Sequence, residues 1–257
     1  MKNCIYFFTG TGNSLKLAQE IGAGLADCEL RAIRHGMDLT VPSGCERIGF
    51  VYPVYYLGLP AMVTEFLKHA GFPVQKDTYY FAAATYGEFA GNSIPQIGQL
   101  LRQQEITLNY GTDLKMFSNC VTIYNMRRNV AEITEQSGRL AIPVVRSVCD
   151  RQVQPVRSFR KAVHFYHQLQ IRRVSLISHN FSVNENCVSC GICRDICAAR
   201  NISVNHGKPV FGDRCEHCTA CIQHCPKQAI NYKNRTQKRR RYTHPDIGYQ
   251  RIASYYG

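Results

Sequence analysis

Apolar positions in the first half of the chain fall into short unbroken runs, separated by stretches with helical spacing. Residues 4–8 (CIYFF) form the first run, the pattern of a strand buried on both faces. Polar, glycine-bearing residues 9–14 follow. Leu15, Ala18, Ile21 or Gly22, and Leu25 then share one helical face. The alternation repeats. Residues 28–33 and 48–52 predict strands two and three, and Val63, Phe66 and Leu67 after Pro60 predict a helix. Residues 79–84 predict strand four, and Ile94, Ile97 and Leu101 another helix. A fifth strand is expected within residues 108–124, centred on 114–117, and a helix over 129–140. Strands alternating with helices predict an α/β fold on a doubly wound parallel sheet. Beyond Ile142 the pattern blurs. Arg157, Arg160, Lys161, Arg172 and Arg173 alternate with Val163, Phe165, Tyr166 and Leu169. That reads as a basic amphipathic helix, either a solvated face or a binding face.

Strand, glycine-rich loop, helix is the layout of a phosphate site at a helix N-terminus. The loop is Thr9, Gly10, Thr11, Gly12, Asn13, Ser14. Its glycines let backbone N–H groups turn inward, and its hydroxyls add donors. The ATP-loop pattern is absent, and the dinucleotide pattern fails because Leu15 stands at the third glycine position. The loops after strands three and four carry Pro53, Tyr55, Tyr56, Gly58 and Thr85, Tyr86, Gly87, Gly91. In a doubly wound sheet these loops converge at the carboxyl ends of the strands. The tyrosines can stack on a planar ring or serve as packed aromatics.

Residues 1–150 resemble a flavodoxin-like domain on these three loops. The resemblance implies sheet order 2-1-3-4-5 and FMN held by the loops. It also places at Gly58 a peptide able to turn its carbonyl toward the flavin, a role glycine suits through its tolerance of positive φ.

The second half carries a sharper signal. Eight cysteines form two runs spaced Cys-x2-Cys-x2-Cys-x3-Cys: Cys187, Cys190, Cys193, Cys197 and Cys215, Cys218, Cys221, Cys225. The second run follows the first by 28 residues, and Ile202 and Ile230 keep that offset, so the unit is a repeat. Residues 181–232 resemble a bacterial two-[4Fe–4S] ferredoxin domain, a smaller α+β unit. Pro226 follows the last cysteine as that pattern wants, whereas Ala198 stands at the equivalent place in the first run. The resemblance implies that the fourth cysteine of each run ligates the other cluster. Cys187, Cys190, Cys193 and Cys225 would hold one, and Cys215, Cys218, Cys221 and Cys197 the other. Zinc prefers pairs of Cys-x2-Cys, and disulfides need an oxidising compartment.

Composition adds little against this. Thirteen cysteines leave five outside the runs, scattered as reduced thiols would be. Eight thiolates and two oxidised cores bring the formal charge of +13 to roughly +9. The basic surplus lies in the connector, residues 151–180, and in the tail, residues 233–257. The tail's run RTQKRRRYTHP either packs over the surface or docks an acidic redox partner, and no nucleic-acid fold signature accompanies it. No apolar run approaches the ~18 residues of a membrane span, and no signal peptide is evident, so a cytoplasmic protein is expected. Together the halves resemble flavodoxin–ferredoxin fusion proteins. That implies an electron-transfer protein coupling FMN to two [4Fe–4S] clusters and linking two-electron to one-electron redox partners. The alternative is a flavin-dependent oxidoreductase that reduces its own substrate.

Overall fold

The computed structural model describes residues 2–72 and 77–257. Five strands, β1 (Lys2–Phe7), β2 (Cys28–Ala32), β3 (Cys45–Pro53), β4 (Tyr79–Tyr86) and β5 (Tyr110–Lys115), form a parallel sheet in the order β2-β1-β3-β4-β5. This is the flavodoxin-like doubly wound order. The three interior strands β1, β3 and β4 each contain an apolar run, because an interior strand of such a sheet must be apolar on both faces, whereas the edge strands β2 (CELRA) and β5 (YGTDLK) mix polar and apolar residues and are largely half-buried. In β1, residues 3–7 are all buried, with Cys4 opposite Glu29 on one side and Ile48 on the other.

Four helices flank the sheet: α1 (Asn13–Ala23), α2 (Ala61–His69), α3 (Ser93–Arg102) and α4 (Val130–Cys149). α1 packs with α4, and α2 with α3. α4 runs nine residues beyond the expected end at Leu140 and carries Pro143 inside it. Ala141, Val144 and Val148 continue the buried stripe at helical spacing, and their packing outweighs the one backbone bond that proline omits.

The connector forms α5 (Lys161–Ile171) and a 3-10 turn, Val174–Asn180. α5 does not bury the apolar stripe that its alternation suggests. It buries His167, while Phe165 stays 66% exposed and Tyr166 and Leu169 are exposed as well.

The cysteine half contains β6 (Phe181–Val183), α6 (Ile192–Asp195), β7 (Ile202–Asn205), β8 (Lys208–Phe211), α7 (Ala220–Gln223) and β9 (Ile230–Tyr232), and α8 (Tyr249–Tyr256) follows. β6 pairs antiparallel with β9, and β7 with β8. The 28-residue repeat is visible in the backbone. Left-handed residues recur at Ser189 and His217, Gly191 and Thr219, and Arg200 and Gln228. The cysteine half also shares its interior with the sheet half. Phe117, Val121 and Met126, from the chain after β5, pack in one cluster with Ile202, Cys221, Ile222, Ile230 and Tyr242. Among the described residues no helix is long and apolar enough to cross a membrane.

Candidate functional site

The eight cysteines divide between two cavities. Cys187, Cys190, Cys193 and Cys225 line the first, with Gly191, Ile192, Pro226 and Ala229. Cys197, Cys215, Cys218 and Cys221 line the second, with Phe8, Ala198 and Ala220. Each cavity therefore takes three cysteines from one run and the fourth from the other. The halves of the repeat also treat sulfur alike. Asn201 N–H donates to Cys197 Sγ at 3.3 Å, and Ala229 N–H to Cys225 Sγ at 3.2 Å, again 28 residues apart. No group of three or more His, Cys, Asp or Glu side chains suited to a single metal ion occurs among the described residues.

The two cavities differ in setting. The first opens outward: Cys190 is exposed, and Val188 beside it is 57% exposed. The second lies against the carboxyl ends of the sheet. The Cys218 carbonyl oxygen stands 2.6 Å from where a Cβ on Gly10 would be, so only glycine fits there. Between Cys215 and Cys218 come Glu216 and His217. Burial pushes the Glu216 carboxyl up to about 7, against the lowering pull of the Met62 and Ala61 backbone at the start of α2. Burial pushes the His217 imidazole down to about 4. Its Nδ1 is 2.5 Å from Tyr56 Oη, and its Nε2 is 3.0 Å from Thr122 Oγ1.

The three sheet loops do converge. Ser14 and Thr85 share a hydroxyl–hydroxyl bond of 2.8 Å. Pro53 pairs with Thr85 across the ladder. Leu57 O accepts from Asn92 N–H at 2.8 Å and lies against Gly91. Gly87 lies against Ser118. The tyrosines face protein: Tyr55 meets Phe8 edge-on at 5.9 Å, and Tyr56 stacks on His217 at 6.0 Å. Tyr86 is half-buried at the end of β4.

Gly58 differs from the sequence expectation. Tyr55 and Gly58 exchange backbone bonds of 3.0 and 2.9 Å around a tight turn. The left-handed residues of that turn are Tyr56 (φ 50°) and Leu57 (φ 66°), not Gly58. Gly58 is needed for closeness instead: a Cβ there would stand 2.5 Å from both Gln96 Oε1 and the His167 ring. Gly58→Ala is therefore expected to destabilise the chain by about 1–3 kcal/mol through overpacking, as a lowered urea midpoint.

His167 offers a second test on the same contact. Its Nε2 lies 2.9 Å from Leu59 O and its Nδ1 3.1 Å from Gln96 Nε2, and burial lowers its pKa from the ordinary 6.5. A histidine held neutral in the fold contributes stability that is complete above its unfolded pKa. That stability is lost as pH falls through the folded value. The urea midpoint is expected to fall between pH 7.5 and 5, and to fall less in His167→Gln.

The sequence reading missed what covers the phosphate loop. Thr9, Thr11, Asn13 and Ser14 are all buried. Thr9 N–H donates to Tyr256 Oη at 2.9 Å, and that hydroxyl donates to Thr9 O at 3.0 Å. Tyr242 Oη donates to Asn13 Oδ1 at 2.7 Å, and His244 N–H to Thr11 O at 2.8 Å. Asn13 Nδ2 donates to Phe117 O at 3.1 Å, and Asn119 Nδ2 to Thr11 Oγ1. A Cβ on Gly12 would stand 2.8 Å from Ile247 Cβ. With the tail in this position, a flavin phosphate does not fit on residues 9–14.

The basic run is part of the same packing. Arg239 donates to Val121 O at 2.7 Å, Arg240 to Met126 O, and Arg241 to Thr236 O at 3.0 Å and Asn231 Oδ1 at 3.0 Å. A guanidinium presents several donors in a fixed fork, and here the forks satisfy chain carbonyls. The only cue in the sequence was the aromatic and aliphatic content of residues 242–256.

No protein-family model matches the chain, and no curated protein matches it. Solved structures similar to it include flavodoxins and other flavoproteins. A flavodoxin from the domain Archaea is 15% identical, covering 58% of this chain and 99% of its own, with a TM-score of 0.39. The Trp repressor binding protein of Bacillus subtilis is 13% identical over 56% of this chain and 98% of its own, with a TM-score of 0.39. Rubredoxin oxygen:oxidoreductase from Desulfovibrio gigas is 14% identical over 58% of this chain, which spans 36% of that protein, also at 0.39.

Proposed function

We propose that the chain is an electron-transfer protein whose two cysteine runs hold two [4Fe–4S] clusters. The observation that carries this is the division of the eight cysteines into two cavities, each drawing its fourth thiol from the other run. That is the arrangement two cubanes in a repeated fold require. The donor set fits the group chemically. Burial pushes the Cys193 and Cys215 thiols up to about 11, and Cys218 and Cys221 further still. Thiolates at such positions need a cationic centre to offset lost hydration, which iron supplies. When bound, each cluster supplies one-electron chemistry, cycling between its oxidised and its singly reduced core.

The chain's own groups set the environment. Amides of Asn201 and Ala229 donate to the fourth sulfur of each run, a contact that favours the reduced core. The outward cavity, with Cys190 and Val188 at the surface, suits exchange with a separate redox protein. The inward cavity, against Phe8 and Gly10, suits exchange with whatever the sheet loops hold. FMN remains the ligand that those loops resemble a site for. Its phosphate has no room on residues 9–14 while the tail is seated.

Anaerobically purified protein is expected to contain about eight irons and equivalent sulfide, with visible absorbance that bleaches on dithionite reduction. Stoichiometric zinc without sulfide would reject the proposal.

A further inference from the structure

Helix α5 is apolar on two sides, and the fold covers only one of them. Val163, His164, His167, Ile171 and Val174 recur at helical spacing and turn inward, with His167 and Val174 buried. Phe165, Tyr166 and Leu169 recur on the other side and are exposed, and Leu176 follows on the 3-10 turn at 52% exposure. A helix that is apolar all round is normally enclosed, so the outer stripe lacks a cover. Lys161 stands one turn before Phe165 on that stripe, and Arg172 and Arg173 stand one turn after Leu169. Arg151 and Arg157, earlier in the connector, pair with Glu46 and Asp113, whereas Lys161, Arg172 and Arg173 make no ion pair among the described residues. Residues 151–184 contain six Lys and Arg and no Asp or Glu. Asp213, a carboxylate that meets the 3-10 turn, is held by His179 at 2.5 Å.

One end of this face meets a cysteine of the second cavity. Cys215 N–H donates to Ser175 O at 3.2 Å, and Ser175 lies on the turn between Arg173 and Leu176. We propose that the outer face of α5, with the turn that follows it, docks an acidic redox protein that exchanges electrons with the second cluster. An apolar centre flanked by charge is the anatomy of a protein recognition patch, and unpaired cations at both ends select a partner that carries carboxylates. A second copy of this chain does not suit the face, because two facing α5 helices would set cation against cation. Eleven residues span about 17 Å and, at a helix width of about 10 Å, offer roughly 170 Å². That is far below the ~800 Å² per partner of a stable complex and suits a brief electron-transfer encounter. A lipid surface would accept the same stripe but gives no reason for the contact with Cys215. Each encounter moves one electron from a singly reduced cluster to the partner's oxidised centre, and no covalent bond changes. The redox part of the inference rests on the cluster reading, and the docking part does not.

The test uses rubredoxin, a small acidic protein with one ferric iron, as the probe. Dithionite-reduced full-length protein is mixed with it anaerobically, and the second-order rate of rubredoxin bleaching is followed. Arg172→Glu with Arg173→Glu is expected to slow the reaction at least fivefold at low salt, and less at 0.5 M salt, where exposed charges are screened. Phe165→Ser with Leu169→Ser is expected to slow it at both salts. Arg128→Glu with Arg139→Glu, exposed positions near and on α4, changes net charge equally and is expected to change the rate less than twofold. Docking is read separately by carbodiimide cross-linking of oxidised rubredoxin, expected at Lys161, the only lysine in residues 151–184. Rates equal in the α5 variants and the α4 control would overturn the proposal, as would the absence of a cross-link at Lys161. So would a wild-type dimer in sedimentation that Phe165→Ser with Leu169→Ser abolishes. Binding to vesicles containing anionic lipid that the α5 variants lose, with rubredoxin rates unchanged, would make the face a lipid site and overturn it too. Iron and sulfide content on the same samples reports on the clusters: a Lys161 cross-link in protein that holds no iron would sink the cluster reading and the electron exchange while keeping the docking face.

Discussion

Cys225→Ala is expected to cost the protein about half its iron, about four of eight, and the half lost should be the one held by Cys187, Cys190 and Cys193. The reason is the cavity lining: Cys225 belongs to the second run in sequence but to the first cavity in space. Its mirror image, Cys197→Ala, should empty the cavity of Cys215, Cys218 and Cys221. Double variants separate this from ligation within one run, because two changes at one cluster lose no more than one change does. Cys225→Ala with Cys187→Ala should retain about four irons, and Cys225→Ala with Cys215→Ala almost none. If the first pair loses all its iron and the second pair keeps half, each run closes its own cluster and the crossed arrangement is wrong.

The crossing was an expectation from the resemblance to two-cluster ferredoxins, and the linings of the two cavities divide the cysteines in the same way. The sheet was legible in the residues themselves. The apolar runs of β1, β3 and β4 had to be strands buried on both faces, and the polar glycine loops marked where those strands end. Helix α4 was expected to end at Leu140 and runs to Cys149, because the stripe of Ala141, Val144 and Val148 continues past Pro143.

The tail could not be read from its own letters. Arg239, Arg240 and Arg241 look like a solvated charge run, yet their partners are carbonyls of Val121, Met126 and Thr236. Tyr256 meets Thr9 across 247 positions of sequence. Burial at such separations is decided by which surfaces the fold brings together, and no periodicity within a short polar segment encodes it. Gly58 shows the same limit at a single position. Its need for closeness is set by His167 on α5, a helix whose pattern pointed to a different buried face.

If the tail is an integral part of the core, its centre should behave like core. Ile252 is fully buried in the main hydrophobic cluster, on α8, which packs against β2 and α6. Ile252→Ala removes its buried methyl and methylene groups and leaves a cavity at a place where elements from both halves meet. The expected cost is about 2–5 kcal/mol. At roughly 2–4 °C per kcal/mol for a chain of this size, thermal unfolding should move by an amount that calorimetry resolves easily. Tyr249→Ala, on the exposed side of the same helix, is the control and should change stability by less than about 0.5 kcal/mol. Because α8 touches both the sheet and the first cysteine run's helix, Ile252→Ala should lower the unfolding temperature of both halves in a single transition. Two separated transitions, or an Ile252→Ala protein as stable as the Tyr249→Ala control, would mean that the tail lies on the surface and that the halves fold independently.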